Sequence, residues 1–190
     1  ALNAKARTRL RSIIDRSSAL EIRELTAETI AASTERLQAL FDQVLARSPL
    51  AFGRLRMEAC AAWKKLLGDA FPFRGFYLNG ELVGFNSAFV VGDVLDAQYV
   101  GFDYARNQEH MIYQRMLVDL LEQALQRGLK RINFGRTAEQ TKSNLGAEPQ
   151  KTFVHVMHTG TLANKVVGPF IRAIKPASFE QRSPFKKVLA

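Results

Sequence analysis

Cysteine is all but missing from this sequence: Cys60 stands alone among 190 residues, which excludes an intrachain disulfide and a cysteine-built metal cluster. Histidine is nearly as scarce, and two of the three, His155 and His158, sit three apart in a strand-like run where they face opposite sides. No metal is expected. No apolar run approaches the roughly 18 to 20 residues that cross a bilayer; the best, Gly84 to Val91, is strand-sized. The opening ALNAKARTRLR has neither the apolar stretch nor the small-residue cleavage site of a secretory signal. A cytoplasmic protein is the expectation, and the abrupt basic start is also compatible with a longer parent chain. Internal repeats, low-complexity tracts and a serine-histidine-acid pattern are absent as well.

What is present is enough apolar residue, 47%, to build one substantial core, so a single domain over residues 1–190 is expected. The net charge of +9 is unevenly placed. Residues 1–19 carry five basic residues against Asp15, and residues 161–190 carry six against Glu180, which leaves the middle balanced. Basic arms around a neutral body suit phosphates, a peripheral membrane contact or another part of a parent protein; solvated helix faces are the plainer alternative. A nucleic-acid reader would need a basic stripe with interleaved aromatics, which the middle lacks.

The patterning predicts a basic amphipathic helix over Leu2 to Ser18, then a half-buried strand over Leu20 to Leu25. Thr26 caps a helix that stops before Pro49, and Met57 to Leu67 forms another, closed by Gly68. Two antiparallel strands, Phe73 to Leu78 and Leu82 to Val91, meet at Asn79-Gly80, the strongest short hairpin signal. Val94 to Phe102 is a third strand. Beyond Asp103 the apolar period changes to about 3.6, predicting one helix ended by Gly128. Lys130 to Phe134 returns as a strand parallel to its neighbour, Arg136 to Leu145 makes one or two helical turns, and Thr152 to His158 and Leu162 to Ile174 are a last strand and helix.

Several short motifs carry a resemblance. They are Leu95-Asp96-Ala97-Gln98-Tyr99-Val100-Gly101-Phe102-Asp103, Tyr113-Gln114, Phe134-Gly135-Arg136-Thr137-Ala138, Lys142-Ser143 and Leu145-Gly146-Ala147, with the flanks Lys5-Ala6-Arg7-Thr8-Arg9 and Arg182-Ser183-Pro184-Phe185-Lys186. Together they resemble a bacterial group of GNAT acyltransferases related to the Fem-type peptidoglycan aminoacyltransferases. The resemblance implies a GNAT-like α/β fold, an antiparallel meander followed by a parallel strand pair with flanking helices. It implies transfer of an acyl group to an amine, the donor being acyl-CoA or, in Fem-type relatives, aminoacyl-tRNA. The acceptor it implies is a small-molecule amine or a cell-wall precursor. An inactive GNAT-shaped domain that binds a ligand or partner is a third reading.

One departure bears on the donor. GNAT enzymes that use coenzyme A place a glycine-rich turn after this third meander strand, so that bare amides meet the diphosphate. Here the turn reads Asp103-Tyr104-Ala105-Arg106-Asn107-Gln108-Glu109-His110-Met111, without glycine, and Glu109 opposes a diphosphate. Arg106 and Asn107 are the residues there that could still hold a donor, with Tyr113 to pack it or merely to close the core. Asp96 could accept the amine proton through water and Tyr99 could donate to the leaving group. Simple alternation puts Asp96, Gln98 and Val100 on one face of the strand and Ala97, Tyr99 and Gly101 on the other, so solvent for Asp96 and core for Tyr99 are the alternatives. Asn133, Arg136 and Thr137 fall at the carboxyl end of the next strand, where open α/β sheets bind ligands. Arg136 and Lys142 make an anion-binding pair, against the alternative that Arg136 pairs with Glu139 or Asp103 and Lys142 faces water.

Overall fold

The computed structural model describes residues 1–48, 53–136, 138–153, 157, 159–160, 163 and 179–186. It divides into two compact units, residues 1–137 with 185–190, and residues 138–184. In the first unit the order is α1 (Ala4–Arg16), β1 (Leu20–Glu24), α2 (Ala27–Ala32), α3 (Thr34–Leu45), α4 (Glu58–Leu67), β2 (Phe73–Leu78), β3 (Glu81–Val91), β4 (Val94–Phe102), α5 (Tyr104–His110), α6 (Ile112–Gln126) and β5 (Arg131–Asn133). The strands form one sheet in sequence order, antiparallel from β1 to β4 and parallel between β4 and β5.

Local chemistry accounts for most boundaries. The Asn3 side chain accepts the Ala6 N–H at 2.8 Å and starts α1. Asn79 and Gly80 both take positive φ, 51° and 80°, the backbone of a two-residue hairpin turn that matches strand twist. Gly128, at φ 66°, ends α6, while the Leu129 N–H reaches back to the Ala124 carbonyl at 2.9 Å. The helix expected after Thr26 is two helices. Thr26 does cap it, accepting the Thr29 N–H, but Ser33 leaves helical geometry and the Thr34 hydroxyl bonds back to the carbonyls of Ile30 and Ala31. The single helix expected beyond Asp103 is also two, broken at Met111, which sits in the left-handed region at φ 47°.

Side chains alternate across the sheet into separate cores. Phe73 and Phe85, stacked 5.0 Å apart, join Ile30, Leu37, Leu40, Met57 and Cys60 under α2 to α4. On the opposite face Val83 and Phe102 pack with Ile112 and Met116, and Ala88 and Leu95 with Leu120, beneath α6. At about 1.5–3 kcal/mol for each fully buried large apolar side chain, these layers hold the sheet. The chain ends of this unit pair as well: Leu2 bridges Phe185, and the Lys186 N–H donates to the Ala1 carbonyl at 3.0 Å.

The β3–β4 ladder has one irregularity. Asn86 faces Val100 and Ala88 faces Ala97, so Ser87 alone stands opposite both Gln98 and Tyr99. The Ser87 hydroxyl fills the gap, accepting the Tyr99 N–H and donating to the Tyr99 carbonyl, each at 3.2 Å.

In the second unit the described helix is α7 (Glu139–Ser143), entered through Ala138 at φ 54°. The Ser143 hydroxyl accepts the Arg182 N–H at 3.2 Å. Thr152, Phe153 and Met157 are not in a strand, and the other residues of the expected strand and nearly all of the helix expected beyond it lie outside the described residues. Among the described residues no helix is long and apolar enough to cross a membrane.

Candidate functional site

Two neighbouring strands part company in the first unit. β5 pairs with β4 on three rungs, Val94 with Arg131, Leu95 with Ile132 and Asp96 with Asn133, and then ends, whereas β4 continues to Phe102. From Ala97 to Phe102 that edge of β4 has no strand partner among the described residues. Asn133 causes the parting. Its Oδ1 accepts the Gly135 N–H at 2.9 Å, turning the chain through Gly135 at φ 67°, and its Nδ2 donates to Asp96 Oδ1 at 2.7 Å. The second carboxylate oxygen of Asp96 accepts from Gln98 Nε2 at 2.8 Å. Asp96 is thus clamped by two amides on the last shared rung, with lone pairs left over on a half-buried carboxylate.

The bulge corrects the expected facing of β4. Leu95 and Ala97 pack toward α6, and so do Val100 and Phe102, beyond the extra residue. Asp96 lies across from Phe89, which belongs to the core under α2 to α4, and Tyr99 belongs to that same core. Asp96 and Tyr99 therefore share a face, and Val100 does not share theirs. The Tyr99 ring stacks on Trp63 with centroids 6.0 Å apart and meets Phe41 edge-on at 6.1 Å. Burial raises the Tyr99 hydroxyl pKa, with a smaller contribution from nearby Cys60, so it stays a proton donor across neutral pH. Cys60 is pushed up to about 12 by burial and offers no thiolate.

Arg106, Asn107 and Tyr113 come together elsewhere, around the α5–α6 break. Arg106 pairs with Glu81 at 2.7 Å and lies 3.7 Å from Asp103, and Arg36 closes the cluster on Glu81 at 2.9 Å. The Arg106 hydrogen bond pulls the Glu81 pKa down. Asn107 Oδ1 accepts the Tyr113 N–H at 2.8 Å, and the Tyr113 ring stacks on Phe102 at 5.5 Å. At the start of α5, Gln43 Oε1 accepts the Tyr104 N–H at 3.2 Å and Asp103 Oδ1 accepts the Ala105 N–H at 2.9 Å. Three amides at these helix starts thus already have side-chain acceptors, while exposed Arg47 lies over the Tyr104 ring, 4.0 Å from its centroid, and adds a cation beside them.

Arg136 is exposed just past Gly135, and Thr137 lies outside the described residues. Lys142 belongs to the second unit, where it is buried; desolvation lowers its pKa to about 8, against a smaller upward pull from Glu139. His155 and His158 are outside the described residues, and His110 ends α5 beside Glu109. Among the described residues no three histidine, cysteine, aspartate or glutamate side chains gather where they could hold a metal ion. Sequence reasoning missed Ser87, Gln43 and the clamping role of Gln98. Only the last had a visible signal, its place two residues from Asp96 on a strand.

A mixed sheet whose last antiparallel strand and parallel neighbour diverge is the mixed α/β fold, an antiparallel meander followed by a parallel strand pair, that the sequence predicts. Residues 4–143 match the acetyltransferase (GNAT) domain model, and the chain belongs to that family of acyltransferases. Its fold is similar to an acetyltransferase of Trypanosoma brucei, 15% identical with a TM-score of 0.55 over 72% of this chain and 98% of that one. It is similar also to the ribosomal-protein-alanine N-acetyltransferase of Brucella melitensis, 15% identical with a TM-score of 0.51 over 74% and 99%. A third is the aminoglycoside N-acetyltransferase AAC(6')-Iy in complex with CoA, 15% identical with a TM-score of 0.52 over 74% and 95%. No curated protein matches the sequence.

Proposed function

We propose that this chain moves an acyl group from an activated donor, a thioester or an ester, onto a primary amine by direct attack in the cleft where β4 and β5 diverge. The observation that carries the reading is Asp96, fixed by Asn133 and Gln98 on the last shared rung and on the same face as Tyr99. The amine lone pair attacks the acyl carbonyl, whose developing negative charge meets N–H groups on the edge of β4 that has no strand partner among the described residues. A new C–N bond forms. Asp96, through water, takes the amine proton, the bond from the acyl carbon to sulfur or oxygen breaks, and the Tyr99 hydroxyl protonates the departing group. The acceptor is an amine of a small molecule, as it is for the aminoglycoside N-acetyltransferase of similar fold.

The test is a matrix of acetyl and aminoacyl donors against amine acceptors, with product read by mass spectrometry and the Asp96→Asn variant run beside the native chain. Acyl-amine product that falls about 10²-fold or more in the variant supports the reading; product formed equally by both removes Asp96 from it.

An aminoacyl-tRNA donor with a cell-wall precursor as acceptor is the second reading. The basic α1, with Lys5, Arg7 and Arg11 exposed, and the occupied helix starts after β4 favour it. Binding of aminoacyl-tRNA that weakens steeply between about 50 and 200 mM salt supports it, and salt-insensitive or absent binding removes it.

A further inference from the structure

β1 is the outer strand of the sheet at the end away from β5, and among the described residues no strand pairs with its free edge. The ladder tells which groups face that edge. Leu25 donates its N–H to the Phe73 carbonyl at 2.8 Å, and the register of β1 on β2 carries on from that pair without a shift to Leu20 opposite Leu78. The backbone groups of Glu21 and Arg23 therefore point into the sheet, and those of Leu20, Ile22 and Glu24 point outward. The Ser17 carbonyl takes the Leu20 N–H at 2.9 Å. That leaves the N–H groups of Ile22 and Glu24, and the carbonyls of Leu20, Ile22 and Glu24, without a backbone partner among the described residues. Glu21 and Arg23 are exposed side by side on one face, with the Arg23 guanidinium 4.7 Å from the Tyr77 ring centroid, while half-buried Ile22 lies on the other face with Leu20.

Exposed edges are usually guarded by proline, a bulge or a row of lysines. β1, Leu20-Glu21-Ile22-Arg23-Glu24, has none of these. Its charges alternate in sign and are complementary to themselves. Turned about a two-fold axis at Ile22, a second copy sets Glu21 against Arg23, Arg23 against Glu21, Ile22 against Ile22 and Leu20 against Glu24. The hydrogen-bond phase agrees with this register. Ile22 exchanges both of its bonds with Ile22 of the second copy, and each Glu24 N–H reaches the other Leu20 carbonyl. The Glu21–Arg23 pairs then fall at the non-hydrogen-bonded positions, where facing side chains stand closest. Sliding by two residues in either direction would set Arg23 against Arg23 or Glu21 against Glu21. The net charge of +9 on each copy opposes association, but at about 0.15 M salt charges more than ~8 Å apart are largely screened, and pairs in contact much less so. We propose that β1 is the seam of a two-fold homodimer in which two five-stranded sheets join edge to edge, with the β4–β5 cleft of each copy at the outer end. This goes beyond the acyl-transfer reading and does not depend on it.

The experiment is sedimentation velocity of the full chain from about 1 to about 200 µM in about 0.15 M salt. A reversible monomer–dimer equilibrium with a dissociation constant on the order of 10 µM is expected, weak because a short edge buries less than a standard interface. Arg23→Glu and Glu21→Arg, each shown to be folded by circular dichroism, should each weaken it about tenfold or more, since like charges then face across the seam. Mixed in equal amounts, the two variants set opposite charges face to face again and should recover a dimer within about threefold of the native constant. Ile22→Pro removes an N–H that points away from β2, so the folded variant keeps its own ladder and should stay monomeric. A native chain that remains monomeric to about 200 µM overturns the proposal. So does a dimer that Arg23→Glu and Ile22→Pro leave unchanged, which would place the contact elsewhere. Single variants that are monomeric alone and stay so when mixed overturn the pairing of Glu21 with Arg23.

Discussion

Asn133 Nδ2 donates to Asp96 Oδ1 at 2.7 Å across the last rung that β4 and β5 share, and the same Asn133 turns β5 away through the Gly135 N–H. One side chain thus sets both the carboxylate and the cleft beside it. Asn133→Ala should lower kcat/KM about ten- to thirtyfold, less than Asp96→Asn, and lower kcat more than it raises KM, because the carboxylate is loosened and not removed. Steady-state kinetics of both variants check the ranking. An Asn133→Ala loss equal to that of Asp96→Asn would mean that Asn133 does more than position.

Tyr99 separates a packing role from a chemical one. Its ring contacts Trp63 and Phe41, and phenylalanine keeps both contacts. Tyr99→Phe should therefore leave the melting temperature within about 2 °C of native and reduce kcat about 10²-fold if the hydroxyl protonates the departing group. A donor with a good leaving group, such as a nitrophenyl ester, needs no such proton, so the loss should shrink with it. An equal loss with both donors would assign the effect to packing.

How far this site was legible in the sequence depends on the range over which each feature is decided. The hairpin at Asn79-Gly80 and the strands beside it were legible because positive φ and period-two burial are local properties. The facing of Tyr99 was not. It turns on one extra residue in β4 that is stabilised by the Ser87 hydroxyl on another strand, and nothing in VLDAQYVGF announces it. Asp96 and Asn133 could each be picked by position, yet their bond joins residues far apart in the chain and depends on the β4–β5 register. The break at Met111 was hidden for another reason: methionine is a poor residue for φ 47°, so the helical pattern continued straight through it.

Close approach of backbone explains Gly101. A Cβ there would lie 2.7 Å from Phe41 N and 2.8 Å from Leu40 C, and nearer still to the Phe85 ring. Backbone of α3 cannot yield without shifting the helix that roofs β4. At Gly84 the nearest obstacle is the end of the flexible Met116 side chain. Gly101→Ala should cost about 3 kcal/mol, and Gly84→Ala about 1–2 kcal/mol. Chemical denaturation of the two variants measures the difference, and an equal cost would contradict the tight packing of α3 on β4.

Asp119 is fully buried in α6 and accepts from Arg74 at 3.0 Å, Asn86 at 2.9 Å and Gln123 at 2.7 Å. It ties α6 to two central strands. Asp119→Ala removes the anion and leaves Arg74 and Asn86 with unmet donors, which should destabilise the fold by about 3–5 kcal/mol. The double variant Asp119→Leu with Arg74→Met should recover a large part of that loss, because no buried charge then remains. Unfolding curves of the single and double variants decide it, and a double variant no better than the single would show that the loss comes from packing.

Lys142 gives the chain a pH dependence whose sign follows from burial. Its pKa in the folded protein is lowered to about 8, chiefly by desolvation, while the unfolded chain keeps a lysine near 10.5. Between those values the unfolded state binds more protons, so stability rises with pH through the window from about 8 to about 10.5. Below it both states are protonated and the fold carries the full cost of a buried cation, of the order of 3 kcal/mol. Lys142→Met keeps the apolar stem and removes the charge. It should raise stability at pH 7 and flatten the rise seen in the native chain between pH 8 and 10, as measured by denaturation at stepped pH. A native chain whose stability does not rise more steeply than that of Lys142→Met over that interval would show that Lys142 holds its proton as firmly in the fold as in the unfolded chain.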